Sequence, residues 1–520
     1  MVGPQLRTGG ASAPCGRRYN RPVTTPNDES NLPEQLQVRR DKRARLLAAG
    51  TDPYAITVAR THSAAEVHAQ WAHLEAGDET NDVVGVGGRV VFVRNTGKLC
   101  FATLQDGFTR DDSGTRLQVM ISLAEVGEQR LADWKADVDL GDFVFVQGRV
   151  ISSKRGELSV LASEWRLASK ALRPLPTLHK ELGEETRVRQ RYADLVARPE
   201  ARDMVRTRAT IVRSIRETLF QQGYLEVETP ILQLVHGGAA ARPFHSHLNA
   251  FDIPMTLRIA IELYLKRAMV GGVDRVYEMG RIFRNEGIDS SHSAEFTMLE
   301  AYQAWGDQFS IASMTRDLIV NAAHALGVES VQTPAGEVHL TGEWQWISVY
   351  PALSDALGDE ITLDTSVQRL REVAQARGVE YDPAWGDGKL VMELFGALVE
   401  PGLVQPTFVN GYPAVAQPLA RNNPDDPRLV EAWDLIIGGV ERGTGFSELI
   451  DPVIQRDVLV AQSLKAAAGD PEAMQLDEDF LRALEFGAPP MGGMGLGIDR
   501  TIMLFTGAGI RETILFPLLK

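Results

Sequence analysis

The sequence predicts an α+β protein, with a small all-β barrel followed by a larger unit in which strands are flanked by helices. Three observations lead there. Between Val83 and Ser169, five short stretches of strand-like alternation follow one another, separated by Gly, Asp and Asn turns. A charged stretch carrying Pro174 and Pro176 then breaks the pattern and reads as a semi-rigid linker. Beyond it, helix-period segments alternate with strands, and one hairpin over residues 281–303 carries charges on a face that should be buried.

Length and composition set the frame. A chain of 520 residues accommodates two to four domains at roughly 100–200 residues each, and 44% hydrophobic residues supply real cores. No run approaches the roughly 18–20 apolar residues needed to cross a bilayer, and the arginine-dotted N-terminus lacks the apolar stretch of a secretory signal. The expected location is the cytoplasm. Two cysteines, Cys15 and Cys100, exclude a disulfide framework and a cysteine-rich zinc site, and Cys100 reads as core. A formal charge of −15 argues against indiscriminate nucleic-acid binding but leaves room for a local basic footprint. The run "RRDKRAR" over 39–45 is such a candidate, its alternative being a solvated helix face.

Taken in order, residues 1–33 are rich in Gly, Pro, Asn, Thr and Ser and form a tail that cannot bury enough surface to order itself. N-terminal helices are expected within 34–80: one from Pro33 to about Gly50, a second over 63–76 with Ser63 as its cap. The five strands over 81–170 suggest an OB-fold, the five-stranded barrel that commonly binds single-stranded nucleic acid by stacking bases on aromatics. Phe101 is its best platform, and Gln118 and Glu157 are placed to read base edges, although each also suits an ordinary barrel. The linker is placed at 171–200 and the second domain at 201–520. That domain begins with a long amphipathic helix leading into "GYLEVETPIL", a strand that meets Pro230.

The chemistry concentrates further on. In "HGGAAARPF", Gly238 lets a ligand approach the backbone, and in the helix "ELYLKRAM", Glu262 either pairs with Lys266 one turn on or faces a ligand. On the hairpin's second strand the period of two puts Phe296, Met298, Glu300 and Tyr302 on one face, and on the first it aligns Ile282, Arg284 and Glu286. His292 lies in the loop between. In "WDLIIGGVERGTGFSELIDP", Thr444, Phe446 and Glu448 share a face, and the Gly438-Gly439 bulge can aim Asp434 and Glu441 at one point, a reasonable Mg²⁺ site beside phosphates. The closing "GMGLGIDR" brings Gly493, Gly495 and Gly497 close to a ligand and opens a helix at Arg500, where an anion is favoured.

"FRNEG", a loop with His292, and "EFTMLEAY" resemble the second signature of class II aminoacyl-tRNA synthetases in its lysyl form. "GYLEVETPIL" resembles the first signature, "GLGIDR" the third, and "EETRVRQRYADL" the segment joining the two domains in lysyl- and aspartyl-type members. The resemblance spans about residue 34 to the C-terminus, and "ERGTGFSEL" resembles the actinobacterial branch.

It implies an antiparallel sheet flanked by helices rather than a parallel phosphate-loop fold; nothing matches GxxxxGK[ST]. It implies ATP-dependent ligation of lysine to tRNA(Lys) through lysyl-adenylate, with Mg²⁺ as cofactor and a homodimer formed through the catalytic domain. The carried-over catalytic residues are Arg284 and Arg500. The ATP site comprises Arg284, Glu286, His292, Phe296, Glu441 and Arg500, with Asp434 and Glu441 on the metal. The lysine site comprises Gly238, Glu262, Arg284, Glu300, Tyr302, Thr444, Phe446 and Glu448, and the anticodon site Phe101, Gln118 and Glu157. The chain departs from the common pattern at Ile261, where Pro is usual, at Ser293-Ala294, where Asn-Pro is usual, and at Thr444, where many members have Asn. The alternatives are an aspartate- or asparagine-type enzyme, which needs cations where Glu300 and Glu448 stand, and an inactive paralogue serving as a tRNA-binding or regulatory module.

Overall fold

The computed structural model describes residues 33–107, 115–176, 183–470 and 472–519. Nearly all of the expected tail and residues 177–182 of the expected linker lie outside them. Two compact units divide the chain between residues 178 and 179.

The first unit opens with α1 (Glu34–Ala48) and α2 (Ala64–Trp71). Ser63 starts α2 through a capping box: its hydroxyl accepts from the Glu66 amide, and the Glu66 carboxylate accepts from the Ser63 amide. The helix ends at Trp71, five residues earlier than its sequence suggests. The basic run on α1 is largely spent within this unit. Arg39 donates to the carbonyls of Leu140 and Ala171, Lys42 pairs with Asp139 at 2.8 Å, and Arg45 pairs with Asp137. These three cations clamp α1 onto the unit.

Five strands, β1 (Glu79–Asn95), β2 (Leu99–Gln105), β3 (Arg116–Ser122), β4 (Phe143–Ser152) and β5 (Leu158–Ser169), close into a barrel in the order β1-β2-β3-β5-β4. Alternation sorts the side chains, so that Cys100, Ala102 and Leu104 of β2 and Leu117, Val119 and Ile121 of β3 fill the interior. A helix absent from the sequence reading, α3 (Leu123–Asp137), joins β3 to β4. Gly127, at φ 80°, splits its apolar pattern into two short pieces, yet Leu131 and Trp134 are buried and Trp134 packs edge-on against Trp165.

The second unit starts earlier than expected. Residues 183–200, read as linker, form α4 (Glu184–Arg189), α5 (Arg191–Ala197) and the first turn of α6 (Pro199–Gln221). Buried Asp194 accepts from Arg191 and Arg198, and Arg191 also donates to the carbonyls of Arg511 and Leu515, which ties the stretch into this unit.

Short strands β6 (Leu225–Glu226), β7 (Leu232–Gln233), β8 (His245–Leu248) and β9 (Ile253–Leu257) lead to α7 (Glu262–Val270) and the hairpin β10 (Arg275–Phe283) and β11 (Glu295–Ala304). After α8 (Gln308–Leu326) come the β12–β13 ribbon (Ser330–Thr333, Gly336–His339), β14 (Gln345–Ser348), and α9, α10 and α11 (Val349–Leu357, Val367–Arg377, Asp387–Leu398). The chain closes with β15 (Thr407–Asn410), β16 (Ala432–Ile436), β17 (Glu441–Ser447), α12 (Pro452–Ala467), α13 (Glu478–Glu485), β18 (Met491–Gly497), α14 (Ile498–Thr506) and α15 (Ile510–Thr513).

The main sheet has the order β14-β15-β16-β17-β18-β11-β10-β6. Its centre is antiparallel, as expected, but both edge pairs, β14 with β15 and β6 with β10, are parallel. On β11, Leu299 and Ala301 enter the core shared with α6 and α8, while Phe296, Met298 and Tyr302 pack on the other face near α7. That second face carries the site.

Candidate active site

One cavity of about 380 Å³ opens on the α7 face of the sheet. Gly238, Glu262, Arg284, Glu286, His292, Phe296, Glu300, Tyr302, Glu441, Thr444, Phe446, Glu448 and Arg500 all line it. Asp434, expected among them, is not in its wall. It pairs across the strands with Thr444 and hydrogen-bonds Thr444 and Tyr412 beside the cavity.

At the deep end three carboxylates are buried together. Glu300 projects from β11, Glu262 opens α7, and Glu448 follows β17; each is at most 6% exposed. Lys266, one turn along α7 from Glu262 and fully buried, bonds the Glu262 carboxylate at 2.7 Å and forms an ion pair with Glu448. Both sequence readings of Glu262 therefore hold: it pairs with Lys266 and it faces the cavity. Neither oxygen of Glu448 has a hydrogen bond of good geometry despite that ion pair.

Burial, and then the opposed charge of Lys266 working against it, leaves the Glu448 carboxyl pushed up to about 8. Glu300 is likewise pushed up to about 8 by burial and by the charge of Glu262. It accepts from the Ile261 amide at 2.9 Å and from the Tyr302 hydroxyl at 3.4 Å. The Ile261 bond gives the departure at this position a consequence, since the usual proline has no N–H to donate.

Glycines make the room. An added Cβ on Gly493 of β18 would lie 2.1 Å from Glu448 Oε1 and 2.4 Å from the Tyr302 ring. Gly238 has φ +87°, and a Cβ there would stand 3.2 Å from the Glu262 Cβ.

The outer end is cationic. Arg284 follows β10, donates to the Ile259 carbonyl at 3.4 Å and lies 5.4 Å from the Phe296 ring centre. Glu286 accepts from the Arg242 amide, tying it to the loop that carries Gly238. His292 Nδ1 contacts Asp289 at 2.9 Å and its Nε2 faces Arg500 at 3.3 Å. Arg500 also donates to the Glu441 carbonyl and stands 3.7 Å from its carboxylate. Burial and the charge of the neighbouring Glu441 push Asp434 up to about 7. Among the described residues, no three Asp, Glu, His or Cys side chains gather to bind a metal unaided. The pair suits an ion that also takes phosphate oxygens.

Sequence reasoning missed Asp499 and Arg442, which line the cavity, and the contact of Lys266 with Glu448. Asp499 is buried, accepts from the Thr297 amide at 2.7 Å and pairs with Arg208, which fixes the start of α14 against β11. The only sequence signal was its place beside Arg500 in "GIDR".

On the barrel, Phe101 is half-buried with the Arg94 guanidinium 4.9 Å from its ring centre. The Gln118 amide donates one N–H to Ser159 Oγ at 2.8 Å. Glu157 is exposed in the turn before β5.

A sheet antiparallel at its centre, with arginines at one end of its cavity and buried acids at the other, belongs here to a class II aminoacyl-tRNA synthetase. Residues 183–520 match the family model for class II tRNA synthetases (D, K and N), and residues 84–168 match an OB-fold nucleic acid binding domain. The chain is 57% identical to lysine–tRNA ligase of Kineococcus radiotolerans, over 96% of this chain and 99% of that protein. It is 56% identical to lysine–tRNA ligase 1 of Mycobacterium tuberculosis (strain H37Rv), over 94% and 98%. A lysylphosphatidylglycerol biosynthesis bifunctional protein of Mycobacterium ulcerans is 46% identical over 98% of this chain but only 46% of that longer protein. The chain belongs to the class II synthetase family and, within it, to the lysine–tRNA ligases.

The packing around Gly493 yields a direct expectation. Gly493→Ala pushes Glu448 and Tyr302 apart, so the KM for lysine should rise about tenfold or more while the KM for ATP stays within about twofold of the parent. Steady-state ATP–pyrophosphate exchange measures both; equal effects on the two substrates would refute the assignment of that wall to the amino acid.

Proposed function

We propose that this chain activates L-lysine with ATP and joins it to tRNA(Lys) through a lysyl-adenylate. Glu448 carries the reading. A carboxylate at 2% exposure, whose one close partner is the Lys266 ammonium on Oε2, borders the cavity of about 380 Å³, and its Oε1 has no hydrogen-bond partner among the described residues. Leaving that oxygen without a donor is costly, and an ε-ammonium supplies one.

The assignment of ends follows from charge. Glu448, Glu300 and Tyr302 receive the ε-ammonium, Phe446 lies against the methylenes, and Glu262 with the Gly238 backbone receives the α-ammonium, near Thr444. Arg284 neutralises the substrate carboxylate. Three buried acids then meet three ammonium groups, two from lysine and one from Lys266. An aspartate-type substrate fits poorly, because the cation closest to the acids, Lys266, is already committed to Glu262 and Glu448.

Lysine's carboxylate oxygen attacks the α-phosphorus of ATP and pyrophosphate leaves. A ribose hydroxyl of tRNA then attacks the carbonyl carbon and AMP leaves. No protein nucleophile is needed, so the residues act by positioning and by meeting charge. Arg284 serves the α-phosphate, Arg500 and His292 the outer phosphates, Phe296 the adenine, and Glu286 holds the ATP-side loop. Glu441, with Asp434 beside it, would hold Mg²⁺, which neutralises phosphate charge when bound. The intact set argues against an inactive paralogue.

We assign tRNA to the barrel face that bears Phe101 and Arg94, with Glu157 at its edge and Gln118, oriented by its bond to Ser159, beside them. Exposed Phe220, Leu225, Ile231, Leu232 and Leu234 support a homodimer through the catalytic unit, because an apolar patch of this kind is normally covered. No helix among the described residues is long and apolar enough to cross a membrane, and the cytoplasm is the proposed location.

Two experiments test this. With ATP and each amino acid in turn, exchange should be fastest with lysine. Glu448→Gln should raise the lysine KM by at least tenfold, since stranding a desolvated charge costs about 2–5 kcal/mol. Faster exchange with aspartate or asparagine would overturn the reading.

Phe101→Ala should raise the KM for tRNA roughly tenfold, given about 1–3 kcal/mol per stacked base, and leave tRNA-free exchange unchanged. A variant that charges tRNA normally but melts early would place Phe101 in the barrel's packing alone.

A further inference from the structure

Arg442 is buried to 6% exposure and lines the cavity, yet among the described residues it forms no ion pair. Its guanidinium is spent on carbonyls. Nε and Nη2 donate to Ile437 O at 3.2 and 3.1 Å, and Nη1 donates to Arg500 O at 2.9 Å. Ile437 lies at the β16–β17 turn, where Gly438 and Gly439 both have positive φ, and Arg500 lies in the first turn of α14. Arg500 in turn donates to the carbonyl of Glu441, the residue before Arg442. Each arginine thus grips the backbone of the other's segment.

A methionine or leucine would fill this place without the desolvation of a buried cation, so the charge needs another justification than packing. A planar fork reaching two carbonyls from separate segments is something only arginine provides; a lysine ammonium is a single point.

We propose that Arg442 is a positioning residue for the phosphate end of the cavity, locking the β16–β17 turn to the start of α14 so that Glu441 and Arg500 are presented together. This rests on the reading of Arg500 and Glu441 as ATP-phosphate groups. Its hydrogen bonds among the described residues all go to backbone carbonyls, so it acts through the carbonyl of Arg500 and the turn that leads to Glu441. Lysine recognition, at the acid end, is independent of it.

The test is a double-mutant cycle in ATP–pyrophosphate exchange, using Arg442→Met, Arg442→Lys, Arg500→Ala and Arg442→Met/Arg500→Ala, with KM for ATP and for lysine measured separately. Arg442→Met and Arg442→Lys should each reduce kcat/KM for ATP about tenfold and leave the lysine KM within about twofold. In the Arg500→Ala background, Arg442→Met should cost clearly less than its roughly tenfold effect in the parent, because one of the two groups it positions is already gone. Additive losses, an equal rise in the lysine KM, or parent-like kinetics in Arg442→Lys would each overturn the proposal. If Arg442→Met does not fold, Arg442→Lys, which keeps the charge and loses the fork, carries the test. Parent-like use of ATP by Arg500→Ala alone would instead refute the reading on which the proposal rests.

Discussion

Three carboxylates buried around a single lysine ammonium impose the arrangement of the catalytic unit. Glu262, Glu300 and Glu448 come from α7, β11 and the strand end after β17, so no local stretch creates the cluster. Each neighbouring choice keeps that charge tolerable or reachable. Lys266 offsets two of the acids, the Ile261 amide at the start of α7 serves the third, and Gly493 leaves β18 bare where Glu448 and Tyr302 need room. Such a site is paid for by packing elsewhere, here the large apolar core between the opposite sheet face and α6 and α8.

The sheet works as a register device. Antiparallel pairing of β11 with β18 sets Glu300 opposite Gly495 and Tyr302 opposite Gly493, while β17 sets Thr444 opposite Gly495 and Phe446 opposite Gly493. A slip of one residue in any of these pairings would send the acids into the apolar core on the far face. The cationic end depends on different restraints: Asp499 on the Thr297 amide, and the mutual grip of Arg442 and Arg500. The two ends of the cavity are therefore held by separate contacts.

Much of this was legible in the sequence because period-two alternation is unambiguous where polar groups replace apolar ones. Phe296, Glu300 and Tyr302 on β11, and Thr444, Phe446 and Glu448 around β17, needed only counting. What escaped depends on long-range contact. The barrel helix α3 is hidden by Gly127, and α4 and α5 look like linker because their anchors, the carbonyls of Arg511 and Leu515, lie more than 300 residues away. Asp434 was expected at the metal side of the cavity by bulge logic, but its strand pairing turns it to Thr444 and Tyr412. Arg442 resembled any charged residue beside a glycine, since a cation satisfied by carbonyls leaves no sequence pattern.

The central claim is that three buried acids share one ammonium, Lys266, and that lysine supplies the charge they still need. Burial and neighbouring carboxylates push Glu300 and Glu448 from near 4.5 up to about 8, which favours their holding protons at neutral pH where the unfolded chain would not. That raised affinity for protons stabilises the fold fully below about 4.5 and is lost as pH rises through about 8; bound ammonium replaces it. The ε-ammonium of lysine, ionising near about 10.4, enters already charged and displaces a proton. Titration calorimetry of lysine binding near neutral pH, in two buffers of different ionisation enthalpy, reads this directly. The account predicts release of on the order of one proton per lysine, with affinity rising between about pH 6 and about pH 8. A binding heat independent of buffer, together with a flat affinity over that range, would contradict it.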